Sequence, residues 1–328
     1  MASADVLVIG AGPGGYVAAI RLARLGKKVT LVEKHKLGGE CLNYGCIPSK
    51  ALIAAANVLS KARKAKEWGL DASDWRQDME KLQGWKTNLV GNLNRGIAGL
   101  LKGNGVVVLQ GEAKFIGPWQ ALVQSGGKDI SFEQAIIATG SEPMEIPGFH
   151  VDGERVIGSQ GALDLRELPK SMLVIGGGVI GLEIGTFYAK LGTKVIVVEM
   201  MGQLLPGIDN EFVIPVARSL EKMGVQVYLN AQASGYEAIG SQAQVVLKTS
   251  DAPVSIRVEK ILLCVGRRPN SRNLGLDSVG VQTDAKGFIK TDEFGRTSAP
   301  GIYAIGDVTQ GPLLAHRSSA QGLALARR

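Results

Sequence analysis

The chain has 328 residues, of which 45% are hydrophobic and 20% charged, and its formal net charge is +7. This length corresponds to about two domains, and the composition excludes wholesale disorder. No apolar run reaches the ~20 residues that span a bilayer, and the N-terminus lacks the pattern of a secretory signal. The densest basic run, Lys61–Lys66, is diluted by apolar residues and predicts a solvated helix face. We therefore expect a cytoplasmic protein that binds neither membrane nor nucleic acid.

A glycine-rich motif occurs twice at a constant offset. Residues 7–33 run from Leu-Val-Ile-Gly-Ala-Gly-Pro-Gly-Gly to Val-Thr-Leu-Val-Glu, and residues 173–199 run from Leu-Val-Ile-Gly-Gly-Gly-Val-Ile-Gly to Val-Ile-Val-Val-Glu. In each copy a short apolar strand enters a glycine-rich turn and then an amphipathic helix, a pattern typical of dinucleotide-binding βαβ units. The sequence therefore predicts two nucleotide-binding modules.

Each position in the motif has a physical role. The first glycine permits the tight turn, the second lets a pyrophosphate approach the backbone, and the third lets helix and strand pack closely. The phosphates meet free N–H groups at the helix N-terminus, and the acid at the end of the next strand accepts hydrogen bonds from ribose hydroxyls. The residues expected at the cofactors are Gly10, Gly12, Gly14, Gly15, Glu33 and Lys34 in the first copy, and Gly176, Gly178, Ile180, Gly181 and Glu199 in the second. Because Glu199 would repel a 2′-phosphate and no arginine follows it, the second copy favours NAD over NADP.

Two cysteines, Cys41 and Cys46, lie close together just before an alanine- and leucine-rich helix predicted over Ser49–Ala65. Their spacing can close a disulfide, and a helix N-terminus lowers the pKa of a thiol and so favours the reactive thiolate. The alternatives are free buried thiols or two zinc ligands, but a zinc site needs more ligands than the pair supplies. Because the third cysteine, Cys264, lies on an apparent buried strand and histidines are scarce, we favour a redox-active pair and expect no metal site.

The run Cys41-Leu-Asn-Tyr-Gly-Cys46-Ile-Pro-Ser-Lys50 resembles the active-site signature of the flavin-dependent pyridine-nucleotide disulfide oxidoreductases. Within that family, the variant with Leu42 and Ile47–Lys50 is similar to the dihydrolipoamide dehydrogenase branch, whereas glutathione and trypanothione reductases typically carry valines and a second lysine. Four further stretches support the resemblance: Ala138–Ser141, Gly176–Glu183, Val265–Asn270 and Gly301–Asp307.

The resemblance implies FAD on the first module and NAD on the second. It makes Cys41 the interchange thiol that meets a dithiol substrate and places Cys46 against the flavin. It also places Lys50 near the flavin, paired with Glu183, and Asp307 on the ribityl chain of the flavin. The further residues that it places at the cofactors are Gly39, Thr139, Gly140 and Gly306 for FAD, together with Cys41 and Lys50, and Gly266 and Arg267 for NAD.

The implied reaction converts dihydrolipoamide and NAD⁺ to lipoamide and NADH. The implied partners are the lipoyl groups on the acyltransferase subunit of 2-oxo acid dehydrogenase complexes. Members of the family usually continue into an interface domain that supplies a His–Glu acid/base across a homodimer. Here His316 matches a family position at the start of that further part rather than the catalytic base, and His35 and His150 look like exposed loop residues. We therefore expect a chain without the interface domain, with weak or no dihydrolipoamide turnover and a doubtful dimer.

Two alternatives stay open. One is a related FAD disulfide reductase with another substrate, such as a mercuric or soluble transhydrogenase-type reductase; the other is a non-catalytic module that binds FAD and NAD. The signature also departs from the family at Glu40 and Tyr44, where small or apolar residues are commoner. We hypothesise that the Glu40 carboxylate raises the pKa of the neighbouring Cys41 thiol.

The expected fold class is α/β, with two Rossmann-like, doubly wound FAD/NAD(P)-binding domains, each in three layers with antiparallel β additions. The FAD domain would comprise residues 1–142 and 271–328, with the NAD domain, 143–270, inserted in it. Apolar residues at helical spacing over 75–102 predict a helix that covers the flavin sheet, with its aromatic side chains in the core. Short strands over 106–137 and 225–265 are interpreted as the antiparallel additions.

Overall fold

The computed structural model describes residues 2–72, 74–124 and 127–327, so Met1 and Arg328, the predicted ends of the FAD domain, lie outside the described residues. The chain divides into two compact units. Unit 1 contains Met1–Asn43, Leu89–Glu142 and Arg267–Arg328, and unit 2 contains Tyr44–Asn88 and Pro143–Gly266. This division differs from the predicted domains over residues 44–88 and 267–270, and the assignment of a cofactor to each domain stays a prediction.

The secondary structure is mixed throughout. The strands in chain order are β1 Ala2–Ile9, β2 Val29–Glu33, β3 Val107–Gln110, β4 Ala113–Gly117, β5 Gln120–Val123, β6 Lys128–Ile137, β7 Ser141–Pro143, β8 Val156–Ile157, β9 Ser171–Ile175, β10 Lys194–Val198, β11 Gln226–Tyr228, β12 Gln232–Ile239, β13 Gln242–Lys248, β14 Val254–Val258, β15 Lys260–Leu263, β16 Arg267–Pro269 and β17 Ile302–Ala304. The α-helices are α1 Pro13–Arg24, α2 Gly39–Asn43, α3 Cys46–Lys64, α4 Met79–Gly103, α5 Ser159–Asp164, α6 Val179–Leu191, α7 Asn210–Lys222 and α8 Ala315–Leu325. Short 3₁₀ turns occupy Ala65–Trp68, Leu276–Val279 and Gly306–Val308.

Unit 1 is built on a mixed sheet with the strand order β3-β2-β1-β6-β5-β4, and β17 also pairs with β6. Strands β3, β2, β1, β6 and β17 run parallel to their neighbours, whereas β4 and β5 form an antiparallel addition to β6. Every residue of β2 is buried, which is typical of a parallel strand covered on both faces. Helices α1 and α8 pack against each other beside this sheet.

Unit 2 repeats the parallel part of this arrangement. Its main sheet has the order β11-β10-β9-β15-β8, and all its pairings are parallel. Strands β12, β13 and β14 form a separate antiparallel sheet, and α3 packs against α6. The predicted α/β class with two doubly wound sheets is therefore confirmed, as are the antiparallel additions β4–β5 and β12–β14.

Some strands expected to be antiparallel are parallel instead. The prediction was wrong for β3, β11 and β15, which complete the two parallel sheets, and β6 pairs in parallel with β1 while β5 lies antiparallel to it. The reason is the order of pairing: short apolar strands look alike in sequence, and their direction depends on which distant strand they join.

Helix α4 begins at Met79, and its buried face differs from the predicted one. Met79 and Ile97 are buried, but the prediction of a core position for the aromatic side chains was wrong, because Trp75 and Trp85 are exposed, as are Leu93 and Leu100. Two polar residues, Gln83 and Lys86, are buried instead. Gln83 donates hydrogen bonds to Leu163 O and Leu165 O, and Lys86 donates to Leu163 O and pairs with Asp164. Hydrogen bonds to the end of α5 therefore satisfy the two buried polar side chains of α4 in the interior of unit 2.

The part of the chain that the structure describes holds no helix with both the length and the apolar character to cross a bilayer.

Candidate functional site

The first glycine motif lies between β1 and α1 in unit 1. Gly10 has φ +99°, and a Cβ added there would lie 2.4 Å from Ala138 O; a Cβ on Gly15 would lie 1.8 Å from Gly10 O. At Gly12, by contrast, an added Cβ would meet nothing within 4 Å. Gly12 is also the N-cap of α1, with no side-chain cap. The loop is closed where helix and strand pack and open at the helix N-terminus, and this shape fits a phosphate.

The second motif repeats this geometry in unit 2, between β9 and α6. A Cβ on Gly176, whose φ is +107°, would lie 2.2 Å from Cys264 O, and one on Gly181 would lie 2.3 Å from Gly176 O. Gly178, the N-cap of α6, again has open space around it and no side-chain cap. The two loops therefore have the same shape, and each fits the pyrophosphate of a dinucleotide.

Each loop is held by a buried carboxylate from the end of the next strand. Glu33 accepts hydrogen bonds from the N–H of Ala11 at 2.6 Å and from the N–H two residues further along the chain at 2.8 Å. Glu199 accepts from the N–H of Gly177 at 2.7 Å and likewise from the N–H two residues on at 2.8 Å. The two acids are only 7% and 6% exposed. Each carboxylate therefore stands at its glycine loop, in the place that the βαβ motif gives to the ribose ligand.

The residues that follow these acids differ. Lys34 forms a long ion pair with Glu112, at 3.8 Å, whereas Met200 and Met201 are exposed. Ile180, in the first turn of α6, is partly exposed as well. The approach to the second loop is therefore flanked by apolar side chains.

Further predicted residues of unit 1 follow β6, whose carboxyl end lies beside that of β1, and β17, whose carboxyl end pairs with that of β6. Thr139 Oγ1 donates to Asn270 O at 2.7 Å, and Asn270 donates back to Thr139 O at 3.1 Å. The N–H of Gly306 donates to Gln321 Oε1 at 2.8 Å. Asp307 accepts a hydrogen bond from Ser141 Oγ at 2.8 Å. One edge of the sheet thus gathers the first glycine loop, Gly140 and Asp307, and the carboxyl edge is where ligands of such sheets bind.

Arg267, which the resemblance placed at NAD, directs its side chain to groups of unit 1. Its Nε donates to Ser141 Oγ at 2.8 Å and its Nη2 to Ser141 O at 2.7 Å, while Nη1 donates to Glu40 Oε1 at 3.3 Å. The side chain is only 12% exposed. Gly266, its predicted companion, belongs to unit 2. Ser141 was missed as a functional candidate because a serine in a short motif carries no signal of its long-range partner.

The cysteine pair is carried by two successive helices. Cys41 lies within α2 of unit 1, and Cys46 is the first residue of α3 in unit 2; both are half-buried. The predicted start of α3 at Ser49 was wrong, because the helix begins at Cys46 itself. This position at the helix N-terminus favours the thiolate of Cys46.

Tyr16 is a further residue at this site that the sequence did not single out. It lies in α1 of unit 1, and its pKa is raised by burial and by the charge of the Cys41 thiolate. An aromatic residue inside a helix usually signals packing, so its relation to the cysteine needed the tertiary structure.

Lys50 and Glu183 are brought together within unit 2. The ammonium of Lys50, one helical turn after Cys46, lies 2.9 and 2.7 Å from the two carboxylate oxygens of Glu183. The Lys50 side chain is 59% exposed and that of Glu183 32%. The pair therefore joins α3 to α6 and keeps a cation on the signature helix.

The histidines lie at the surface. His35, His150 and His316 are exposed, and His150 Nδ1 lies 3.1 Å from Glu145 Oε2 in an exposed segment of unit 2.

Two Rossmann-type loops, each with its own carboxylate, define a protein that binds two dinucleotides, and the segment that crosses the first loop leads into the helix of Cys41. The family described as pyridine nucleotide-disulphide oxidoreductase matches residues 4–322. The chain is 47% identical over 321 residues to a dihydrolipoyl dehydrogenase of Bacillus subtilis (strain 168), and 46% identical over 320 residues to one of Geobacillus stearothermophilus. Each match covers 97% of this chain and 68% of the relative.

Solved structures give the same answer. LpdA from Mycobacterium tuberculosis superposes with a TM-score of 0.90 at 27% identity, over 99% of this chain and 72% of that one. The Cu(II) complex of the HOCl-induced flavoprotein disulfide reductase RclA from Escherichia coli has a TM-score of 0.86 at 29% identity, over 98% and 70% of the two chains. The chain belongs to the pyridine nucleotide-disulphide oxidoreductase family. It is a flavoprotein disulfide oxidoreductase whose cofactors are FAD and NAD(H), and the predicted likeness to dihydrolipoamide dehydrogenases is confirmed.

Proposed function

We propose that the chain couples the oxidation of dihydrolipoamide to the reduction of NAD⁺, with Cys41 and Cys46 as the redox-active pair. The observation that carries this proposal is the position of the signature. Gly39, two residues before Cys41, packs so closely on the first loop that an added Cβ would lie 2.5 Å from Gly12 Cα. The identity of nearly half the residues with proteins named dihydrolipoyl dehydrogenase supports this choice of substrate.

We assign FAD to the first loop and NAD to the second. The segment that carries Cys41 leaves the first acid and crosses the first loop, where the N–H of Gly38 donates to Ala11 O at 2.8 Å. A cofactor seated on that loop lies next to the cysteine helix. Thr139, Gly140, Gly306 and Asp307 stand at the same edge of unit 1, and we assign them to FAD as well. Gly176, Gly178, Gly181 and Glu199 belong to NAD.

The protein's part in the reaction is thiol–disulfide exchange. One thiolate of the substrate attacks the Cys41 sulfur of a Cys41–Cys46 disulfide, and Cys46 leaves as a thiolate. The second substrate thiolate then attacks its own sulfur in the mixed disulfide, closes the cyclic disulfide and releases Cys41. The substrate loses two electrons and two protons, and the cysteine pair gains the electrons. Bound FAD supplies the two-electron chemistry that connects the dithiol to NAD⁺.

Two residues support this chemistry from unit 2. The N-terminus of α3 stabilises the thiolate that Cys46 becomes. Lys50 adds a positive charge one turn further along α3, and Glu183 holds that charge in one place at 2.7–2.9 Å. We infer that this pair tunes the electrostatics of the site. The partners that fit the dithiol chemistry are lipoyl groups on the acyltransferase subunit of 2-oxo acid dehydrogenase complexes.

The test reads the cysteines directly. The purified protein is incubated anaerobically with NADH and then with iodoacetamide, and the peptides are weighed by mass spectrometry. We expect NADH to make Cys41 alkylatable, because reduction of the disulfide frees the thiol that meets the substrate, and Cys46 to react more slowly because it lies against the flavin. The Cys46→Ser variant should lose the NADH-dependent labelling of Cys41, whereas Cys264→Ser, the matched control, should keep both.

A substrate panel separates the remaining candidates. Lipoamide, glutathione disulfide and mercuric ion are compared as acceptors of electrons from NADH. Faster reduction of lipoamide supports the proposal, and a preference for one of the others replaces it by a related reductase. Labelling that NADH leaves unchanged would mean a binding module without catalysis.

A further inference from the structure

A continuous series of hydrogen bonds in unit 1 connects Glu40, the residue before Cys41, to Asp307. Glu40 accepts from Arg267 Nη1 at 3.3 Å, Arg267 Nε donates to Ser141 Oγ at 2.8 Å, and Ser141 Oγ donates to Asp307 Oδ2 at 2.8 Å. These residues come from four separate parts of the sequence. One largely buried cation therefore stands between two carboxylates.

We propose that Arg267 is a positioning residue of the disulfide site, which neutralises Glu40 beside Cys41 and fixes the Asp307 carboxylate through Ser141. This inference rests on the proposed role of Cys41 as the thiol that meets the substrate. It differs from the NAD-binding role that the resemblance gave to Arg267.

The donors of the guanidinium are already used. Nε and Nη2 both bond to Ser141, in a fork that holds the plane of the guanidinium, and Nη1 faces Glu40. A side chain that is 12% exposed and held by three hydrogen bonds has little freedom to leave for a second ligand. Its geometry is that of a structural residue fixed within unit 1.

The charges around Cys41 explain why the position of Arg267 matters for this thiol. Glu40 is the sequence neighbour of Cys41 on α2, and an unpaired carboxylate there would disfavour the Cys41 thiolate. The phenol of Tyr16 on α1 also faces Cys41, and burial and the charge of the thiolate raise its pKa, so it adds no charge there. Arg267 supplies the opposite charge. The signature can therefore carry a glutamate before its first cysteine without losing nucleophilicity.

The experiment is a double-mutant cycle with Arg267→Gln, Glu40→Gln and the double variant. The readout is the rate of iodoacetamide alkylation of Cys41 in the reduced full chain, followed from pH 6 to pH 9 by peptide mass spectrometry. We expect Arg267→Gln to slow alkylation at neutral pH by about 3- to 10-fold and to move the pH profile upward, because Glu40 is left unpaired. The double variant should return to within about twofold of the parent.

The matched control is Arg268→Gln. Arg268 is the next residue and also forms an ion pair, with its Nε 2.6 Å from Glu142 Oε1, but that pair is half-exposed. It should leave the Cys41 profile unchanged. If Arg267→Gln does not fold, Arg267→Lys keeps the charge and loses the fork, and a rate near that of the parent is expected.

Ser141→Ala tests the other end of the series. It removes the Ser141 Oγ bonds to Asp307 and to Arg267 Nε, but Arg267 keeps its bonds to Ser141 O and to Glu40. We therefore expect weaker retention of FAD and a much smaller change in the Cys41 profile than Arg267→Gln gives. The inference is overturned if Arg267→Gln leaves Cys41 alkylation unchanged, or if the double variant stays as slow as Arg267→Gln. None of these readouts uses dihydrolipoamide or NADH, so loss of the proposed function is seen separately, in the NADH-dependent labelling.

Discussion

The two glycine loops have nearly the same geometry, but the chain segments that cross them differ. In unit 1 the N–H of Gly38 donates to Ala11 O, and the chain continues through Gly39 into the helix of Cys41. In unit 2 the N–H of Leu205 donates to Gly177 O at 2.9 Å, and the chain continues towards α7. Each crossing uses a residue with positive φ, +91° at Gly38 and +50° at Leu205.

The two crossings differ in the side chains that occupy the space beside the loop. A side chain at residue 39 would collide with the backbone of Gly12, so the first crossing is made of glycines. In the second, the buried side chain of Leu204 reaches to within 2.8 Å of where a Cβ on Gly177 would lie. The two copies therefore share the loop geometry, and the cysteine helix follows the crossing at which glycines bring the chain closest to the loop.

The largest effects should come from the third glycine of each loop. Gly15→Ala and Gly181→Ala place a Cβ 1.8 and 2.3 Å from a carbonyl oxygen, so each should lower the free energy of unfolding by roughly 3 kcal/mol or more. Urea unfolding followed by circular dichroism measures this. Unchanged midpoints would mean that the loops relax easily.

The second glycine should separate cofactor binding from folding. Gly12→Ala and Gly178→Ala meet no neighbouring atom, so each should keep the unfolding midpoint and obstruct a phosphate instead. We expect Gly12→Ala to lose FAD absorbance and Gly178→Ala to lose NADH binding by fluorescence titration. The opposite pattern would reverse the assignment of the two loops.

Substitution of the two acids should weaken the binding of each dinucleotide by a similar amount, and by less than the glycine substitutions do. Glu33→Gln and Glu199→Gln each replace a carboxylate that accepts two backbone N–H bonds, and each should weaken its own dinucleotide by about tenfold, since charged hydrogen bonds contribute about 1.5–3 kcal/mol. Glu199→Gln should also narrow the preference for NADH over NADPH, because it removes a negative charge near the 2′ position. Equilibrium titration with both nucleotides checks this, and equal ratios before and after the change would contradict it.

The Lys50–Glu183 pair should matter more for rate than for stability. Lys50→Met and Glu183→Gln should each change the free energy of unfolding by less than about 1 kcal/mol, because the pair is partly exposed. Lys50→Met should nevertheless slow NADH-dependent labelling of the cysteine pair by roughly tenfold, as expected when one charge that favours the thiolate is lost. Glu183→Gln keeps that charge and only releases its position, so it should slow labelling less. Equal labelling rates would limit the pair to a structural role.

The smallest effects are expected at one surface carboxylate in each unit. Burial raises the pKa of Asp152 in unit 2, but hydrogen bonds from the N–H groups of Glu154, Val156 and Arg155 outweigh this effect and lower the pKa. In unit 1 the side chain of Gln310 and backbone N–H groups lower the pKa of Asp284. Because each folded pKa lies below the unfolded value, the stability contributed is present above about pH 4 and is lost as pH falls through the folded pKa. Melting curves of Asp152→Asn and Asp284→Asn should therefore converge with the parent at low pH; a gap that stays constant would contradict this.

Much of the frame could be predicted from local sequence. The repeat, the roles of Gly10 and Gly176, and the acids at Glu33 and Glu199 follow from backbone conformations and apolar strands that neighbouring residues specify. Local sequence also explains the end of α7 at Lys222, because Gly224, just beyond it, adopts a positive φ. The start of α3 was misplaced because Pro48 suggests a helix boundary, yet a proline is tolerated within the first turn and the helix begins before it.

What the sequence by itself determined is the local chemistry: two dinucleotide loops, a cysteine signature at a helix N-terminus, and an α/β class. The tertiary structure decided strand direction at β3, β11 and β15, the polar buried face of α4, and the bonds from Arg267 to Ser141 and Glu40. These bonds join residues 126 and 227 positions apart. Sequence patterns report what a residue needs from its near neighbours. The partner of a charged side chain depends on which distant surfaces packing brings together, and only the folded chain contains that information.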